Sequence, residues 1–239
     1  MTPNSYLLYE GPSVLDGEPV VAIATLRSSN RKTGDMIQTW IMRNDVDPVA
    51  AIKAHLDESV CGFCPARHAL GGHCYVNVGQ APLGIWRSYQ AGRYPAITRR
   101  AYRKLQGRAV RFGAYGDPAA VPYDVWKPLL DISGTHTGYT HQHQHPRFDP
   151  RIAEFCMLSI EHPLDYRQAW TRGERTFRTK HPDDPLLQGD ILCPYDGGAN
   201  EIQCIDCSMC KGKDAPSSIA IDVHGSRAKR YDIIFKEAA

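Results

Sequence analysis

Short apolar runs rich in β-branched residues recur along the chain, and the stretches between them carry helical spacing or turn residues. Runs at 6–9 and 20–26, parted by Gly11-Pro12 and Asp16-Gly17, predict an N-terminal β-hairpin. Further strands are predicted at 36–42, 75–78, 109–115, 136–141, 155–160, 176–179, 190–192 and 219–223. Helix-compatible stretches fall between them. Residues 47–58 open with Asp-Pro, 82–105 is long enough for two helices, 123–133 is amphipathic, and 163–171 follows a strand closely. Strands alternating with helices predict an α/β fold with a mainly parallel sheet, here a partial or irregular (β/α) barrel carrying the N-terminal hairpin. After Leu192 the pattern gives way to loops and cysteines. The domain plan is therefore a barrel-like unit over 1–192 and a cysteine-rich, metal-binding appendage with closing strands over 193–239.

Composition changes this picture little: 42% hydrophobic and 23% charged residues describe an ordinary globular chain. The net charge of +2 conceals a local excess. Arg87, Arg93, Arg99, Arg100, Arg103, Lys104, Arg108 and Arg111 follow one another with no acid between them, and Tyr89, Tyr94 and Tyr102 are interleaved. Such a segment is expected to track a phosphate backbone and offer rings for stacking, so nucleic acid or a nucleotide is a candidate partner; a solvated helix face is the alternative.

The cysteines change the picture most. Seven of the eight fall into two groups, Cys61-x2-Cys64-x9-Cys74 and Cys193-x10-Cys204-x2-Cys207-x2-Cys210. Thiols packed at such spacings are read as ligands for a soft metal or an iron-sulfur cluster. The first residues lack a basic stretch leading into an apolar one, and no apolar run is long enough to span a bilayer. A reducing cytoplasm, no membrane, and metal rather than disulfides are therefore expected. Four thiolates close a site, whereas three leave one position open for chemistry. His68 or His73, inside the longer gap, would close the first group as a zinc site. Cys156 lies in an apolar strand and is expected to be buried and metal-free.

In parallel α/β folds catalytic groups gather where strands end. Two predicted strand ends carry candidates: Gly113-Ala114-Tyr115-Gly116-Asp117-Pro118, and Tyr139-Thr140-His141 leading into His143 and His145. Alternation would put the three histidines on one face, although same-face residues diverge too far along a strand to meet one ion easily. Glu161 and His162 end a third strand and are expected either to reach the Asp117 pocket or to be solvated.

Cys74-Tyr75, the Gly113 to Pro118 strand end, Tyr139-Thr140-His141 and the terminal Cys204-x2-Cys207-x2-Cys210 follow one another in an order that resembles the phage gene-product-88 family. Through it the chain is distantly similar to radical S-adenosylmethionine enzymes, although their Cys-x3-Cys-x2-Cys spacing is replaced here by x2 and x9. The resemblance implies a 4Fe-4S cluster on Cys61, Cys64 and Cys74, and an auxiliary cluster on Cys193, Cys204, Cys207 and Cys210. It further implies S-adenosylmethionine oriented by Gly113, Tyr115, Gly116 and Asp117, catalysis by Asp117, Tyr139 and His141, an electron donor, and a nucleobase or nucleotide as substrate. The rivals are a zinc-stabilised, base-exchanging or hydrolytic enzyme using Asp117 on nucleic acid, and a non-catalytic zinc protein that binds it.

Overall fold

The computed structural model describes residues 3–195 and 202–235. Nine strands form one sheet: β1 (Ser5–Pro12), β2 (Pro19–Thr25), β3 (Ile37–Arg43), β4 (Ala109–Tyr115), β5 (Thr135–Thr140), β6 (Met157–Ser159), β7 (Thr176–Lys180), β8 (Asp190–Leu192) and β9 (Ser218–Asp222). Their spatial order is β1-β2-β3-β4-β5-β6-β7-β9-β8. The first three are antiparallel, as the hairpin signal predicts, and every later pairing is parallel.

The sheet is open rather than closed into a barrel. Residues 95–97 meet its β1 edge at one point, where the Leu7 N–H donates to Pro95 O and Leu7 O accepts from Ile97 N–H, and β8, at the other end of the strand order, does not pair with β1. The strand expected at 75–78 is irregular, because Tyr75 turns its ring onto His224 and its hydroxyl toward Arg111 instead of entering a ladder. The appendage is also less separate than the cysteine pattern implies. β9 lies beyond Leu192, yet it is inserted between β7 and β8. Residues 196–201 of the irregular stretch lie outside the described residues.

The helices are α1 (Pro48–Lys53), α2 (Glu58–Cys61), α3 (Ala81–Gln90), α4 (Arg99–Lys104), α5 (Tyr123–Ile132), α6 (Pro163–Thr171), the single turn α7 (Cys204–Cys207) and α8 (Arg230–Phe235). Asp47 caps α1 by accepting from the Val49 and Ala50 N–H groups, the local reason for the Asp-Pro start. Side chains alternate across each strand, so the sheet has two different faces. On one, Phe112 of β4 meets Trp126 of α5 edge-on at 5.8 Å and Phe155 at 4.6 Å, while Leu158 of β6 packs beside Tyr166 and Ala169 of α6. Cys156 is fully buried among these residues, as expected, its sulfur against Gly138. No helix among the described residues is long and apolar enough to cross a membrane.

Candidate functional site

The other face carries the polar residues of the central strands. Arg111 of β4, Thr137 and Tyr139 of β5 with His141 just beyond, and Ser159 of β6 with Glu161 just beyond line one cavity of about 150 Å³. Cys64 and Cys74 border it, and so do Cys193, Cys204, Cys207 and Cys210. A second cavity of about 130 Å³ shares Cys64, Cys74, Tyr75, Arg111, Tyr139 and His141 and adds Cys61, Gly113, Tyr115, Gly116 and Asp117. Seven cysteines far apart in sequence thus surround two adjoining cavities over one sheet face.

The first group is assembled at the strand ends. Cys61 closes α2, and Gly62 follows at φ 48°, in the left-handed region, where an added Cβ would lie 2.1 Å from Gln142 Oε1. Gln142 donates through Nε2 to Cys61 O at 2.9 Å and to Asp117 Oδ2 at 3.1 Å, and its Oε1 accepts from the Phe63 N–H at 3.0 Å. Asp117 accepts further bonds from the His141 N–H at 2.8 Å and the Ala119 N–H at 3.0 Å. Its carboxylate is therefore committed to joining β4, β5 and the cysteine loop. Gly116, at φ 82°, passes so close to β3 that a Cβ would stand 2.7 Å from Ile41 O.

His141 bridges to chemistry. Its Nε2 lies 3.1 Å from Glu161 Oε1, and the ring also hydrogen-bonds Cys64. Burial lowers its proton affinity, but Cys64 and Glu161 outweigh this and hold it well above the ordinary histidine range. The same carboxyl is pushed up by burial and down, with net effect, by His141. Burial, then Cys64 and Cys74, raises the Cys61 thiol well above its usual range, and burial followed by Cys64 lifts Cys74 to about 11. Cys210 is lifted by burial to about 12, opposed by its hydrogen bond with Tyr139. Metal-free thiols of this kind are protonated, so occupation by metal releases protons.

The second group reaches the face through backbone contacts. The Cys204 N–H donates to Lys32 O at 2.9 Å, the Gly138 N–H to Cys210 O at 3.3 Å, and the Cys193 N–H to Ala220 O at 2.8 Å. The Thr135 hydroxyl donates to Ser208 Oγ at 2.7 Å.

Among the described residues no group of three His, Cys, Asp or Glu side chains is placed to hold a metal ion. The two cysteine sets, each partly exposed beside cavity volume, present soft thiol donors of the kind that both iron-sulfur clusters and zinc take.

Not every expectation converges here. β5 stops at Thr140, so alternation ends before His143 and His145; neither lines either of these two cavities, and the His145 ring lies 4.8 Å from Phe63. The basic segment is divided among α3, α4 and β4. Arg87, Arg93, Arg99, Arg100, Arg103 and Lys104 are exposed, while Trp86, Tyr89, Tyr94 and Tyr102 are partly buried against the core. Arg111 is buried at the site itself. Gln142, Thr137 and Ser159 escaped the sequence reading; alternation within β5 and β6 was a signal for Thr137 and Ser159, whereas Gln142 lies beyond the end of β5 and had none. No family model matches the chain, and neither a curated protein nor a solved structure matches it.

Proposed function

We propose that this chain is an iron-sulfur enzyme of the radical S-adenosylmethionine type, acting on a nucleobase- or nucleotide-sized molecule over the open face of an irregular partial barrel. One observation carries the reading: Cys61, Cys64 and Cys74 near the strand ends and Cys193, Cys204, Cys207 and Cys210 across the same face line two adjoining cavities that share Cys64 and Cys74. Cys61, Cys64 and Cys74 would hold a 4Fe-4S cluster with one position left for the cofactor, and Cys193, Cys204, Cys207 and Cys210 an auxiliary cluster. When bound, these groups supply one-electron cleavage of a sulfonium, drawing on an external electron donor.

The chain supplies shape and order. Glycine at 113 and 116 brings the β4 tip close to the cavity without side chains in the way, and Tyr115 walls it. Asp117 and Gln142 position the Cys61 loop against β5. Tyr139 and His141 line the proposed substrate space. The cavity suits a monomer; the exposed basic surface on α3 and α4 is the place where nucleic acid would associate electrostatically.

The test is anaerobic reconstitution with iron and sulfide. A 4Fe-4S spectrum perturbed by S-adenosylmethionine, and 5′-deoxyadenosine after dithionite, are expected. An unperturbed spectrum and no product would refute the reading. The buried His141–Glu161 pair favours a second one, zinc-stabilised acid-base chemistry, which a colourless protein with stoichiometric zinc would support. In that case His141 replaces Asp117 as the reacting group, because Asp117 is already occupied by backbone and amide donors.

A further inference from the structure

Arg111 is 5% exposed on the sheet face, and among the described residues it makes no ion pair with a carboxylate. Its Nη2 donates to the Tyr75 hydroxyl, the Tyr139 ring centroid lies 5.9 Å away, and its Nε has no partner. Two further buried groups are unsatisfied: Thr137 Oγ1 and Ser159 Oγ, on residues 2% and 3% exposed. All three side chains line the same cavity of about 150 Å³. A buried cation and two buried hydroxyls without partners are costly to fold around, and each group persists where something else completes it. The same cavity has apolar wall as well, from Phe177 of β7 and Ile219 and Ile221 of β9, with Glu161 and the second cysteine group also on its lining.

We propose that Arg111, Thr137 and Ser159 together bind the anionic head, a carboxylate or phosphate, of a small substrate whose apolar or planar body lies on Phe177, Ile219 and Ile221. This deepens the enzyme reading above and rests on it for the word substrate, but the binding site itself stands on the unsatisfied groups. Guanidinium and two hydroxyls match the planar or tetrahedral oxygen array of such a head, the geometry for which arginine is suited. The competing partner for Arg111 is Cys204, which lines the same cavity.

The test measures binding, without turnover, to the anaerobically reconstituted protein. Benzoate and phenyl phosphate are titrated by ligand-observed NMR against benzyl alcohol, a neutral molecule of similar size. At least one anion is expected to bind about 10-fold or more tightly than the alcohol, the scale of a charge-assisted hydrogen bond; whichever is tighter separates carboxylate from phosphate. Arg111→Met should abolish that preference, and Thr137→Val and Ser159→Ala should each weaken the anion about 3-fold while leaving the alcohol unchanged. Should Arg111→Met fail to fold, the two hydroxyl variants decide. Anions that bind no better than the alcohol, or that bind these variants as well as wild type, overturn the proposal. Anion binding without 5′-deoxyadenosine formation would sink the radical reading and leave this site standing, and the reverse result would do the opposite.

Discussion

The Cys61 turn is held by side chains reaching from just beyond β4 and β5, whereas Cys204 and Cys210 meet the rest of the fold through backbone hydrogen bonds. At the first group, Gln142 and Asp117 reach from the ends of β5 and β4 and hold the loop through buried bonds that depend on particular residues. At the second, the bonds to Lys32 O and from the Gly138 N–H would form with almost any residue, and the residue-specific contacts, Thr135 to Ser208 and Gln203 to Arg31 O, lie beside the thiols rather than on them. The difference implies that the first site is preorganised by the fold, while the second segment relies more on what its thiols bind.

The largest expected effect concerns chemistry. Replacing Cys61, Cys64 or Cys74 with Ala should reduce S-adenosylmethionine cleavage to background, a loss of about 1,000-fold or more if transition-state positioning vanishes with the cofactor. Iron bound by the second group should survive. Cys207→Ala should leave measurable cleavage. Equal losses of 5′-deoxyadenosine from both groups would erase the asymmetry.

Next comes Gln142→Ala, which leaves the Phe63 N–H, Cys61 O and part of Asp117 unsatisfied. A loss of about 3 kcal/mol in chemical denaturation is expected, since each orphaned buried group costs about 1–3 kcal/mol. Iron should fall at the first group only. A change within about 0.5 kcal/mol would show that the clasp does not hold the loop. Chelation should act on the opposite end: limited proteolysis of metal-stripped protein is expected to cut first within 202–217, sparing β1 to β7. Identical digestion with and without metal would contradict the view that the second segment leans on its ligand.

Smaller effects sharpen the boundary of the site. Cys156→Ser should keep full metal content while costing about 1–3 kcal/mol, because it buries a hydroxyl among Phe112, Phe155 and Gly138. Metal loss like that of Cys74→Ser would overturn its exclusion. Replacing Arg99, Arg100 and Arg103 together with Glu should leave cofactor cleavage unchanged and weaken retention on nucleic acid in a salt-dependent way. If retention is unaffected, the exposed basic surface has no such partner.

The sequence by itself determined the local elements and the inventory of chemistry. Alternation and apolar runs located β4 at Ala109–Tyr115 and β8 at Asp190–Leu192, and Pro163 opened α6, because period, propensity and punctuation act over a few residues. The spacing of the cysteines separated seven from Cys156 for the same reason. Tertiary structure alone decided the rest. Whether strands close into a barrel depends on long-range pairing between the two sheet edges, and β1 and β8 do not pair. That Arg111 belongs to the cavity rather than to the basic surface follows from the face β4 presents inward. That Asp117 is a clasp follows from Gln142 and His141 arriving from β5, contacts 24 and 25 residues away that no local pattern encodes. Side-chain roles here are set by which groups long-range strand pairing brings within hydrogen-bond reach, and strand pairing is a property of the whole sheet.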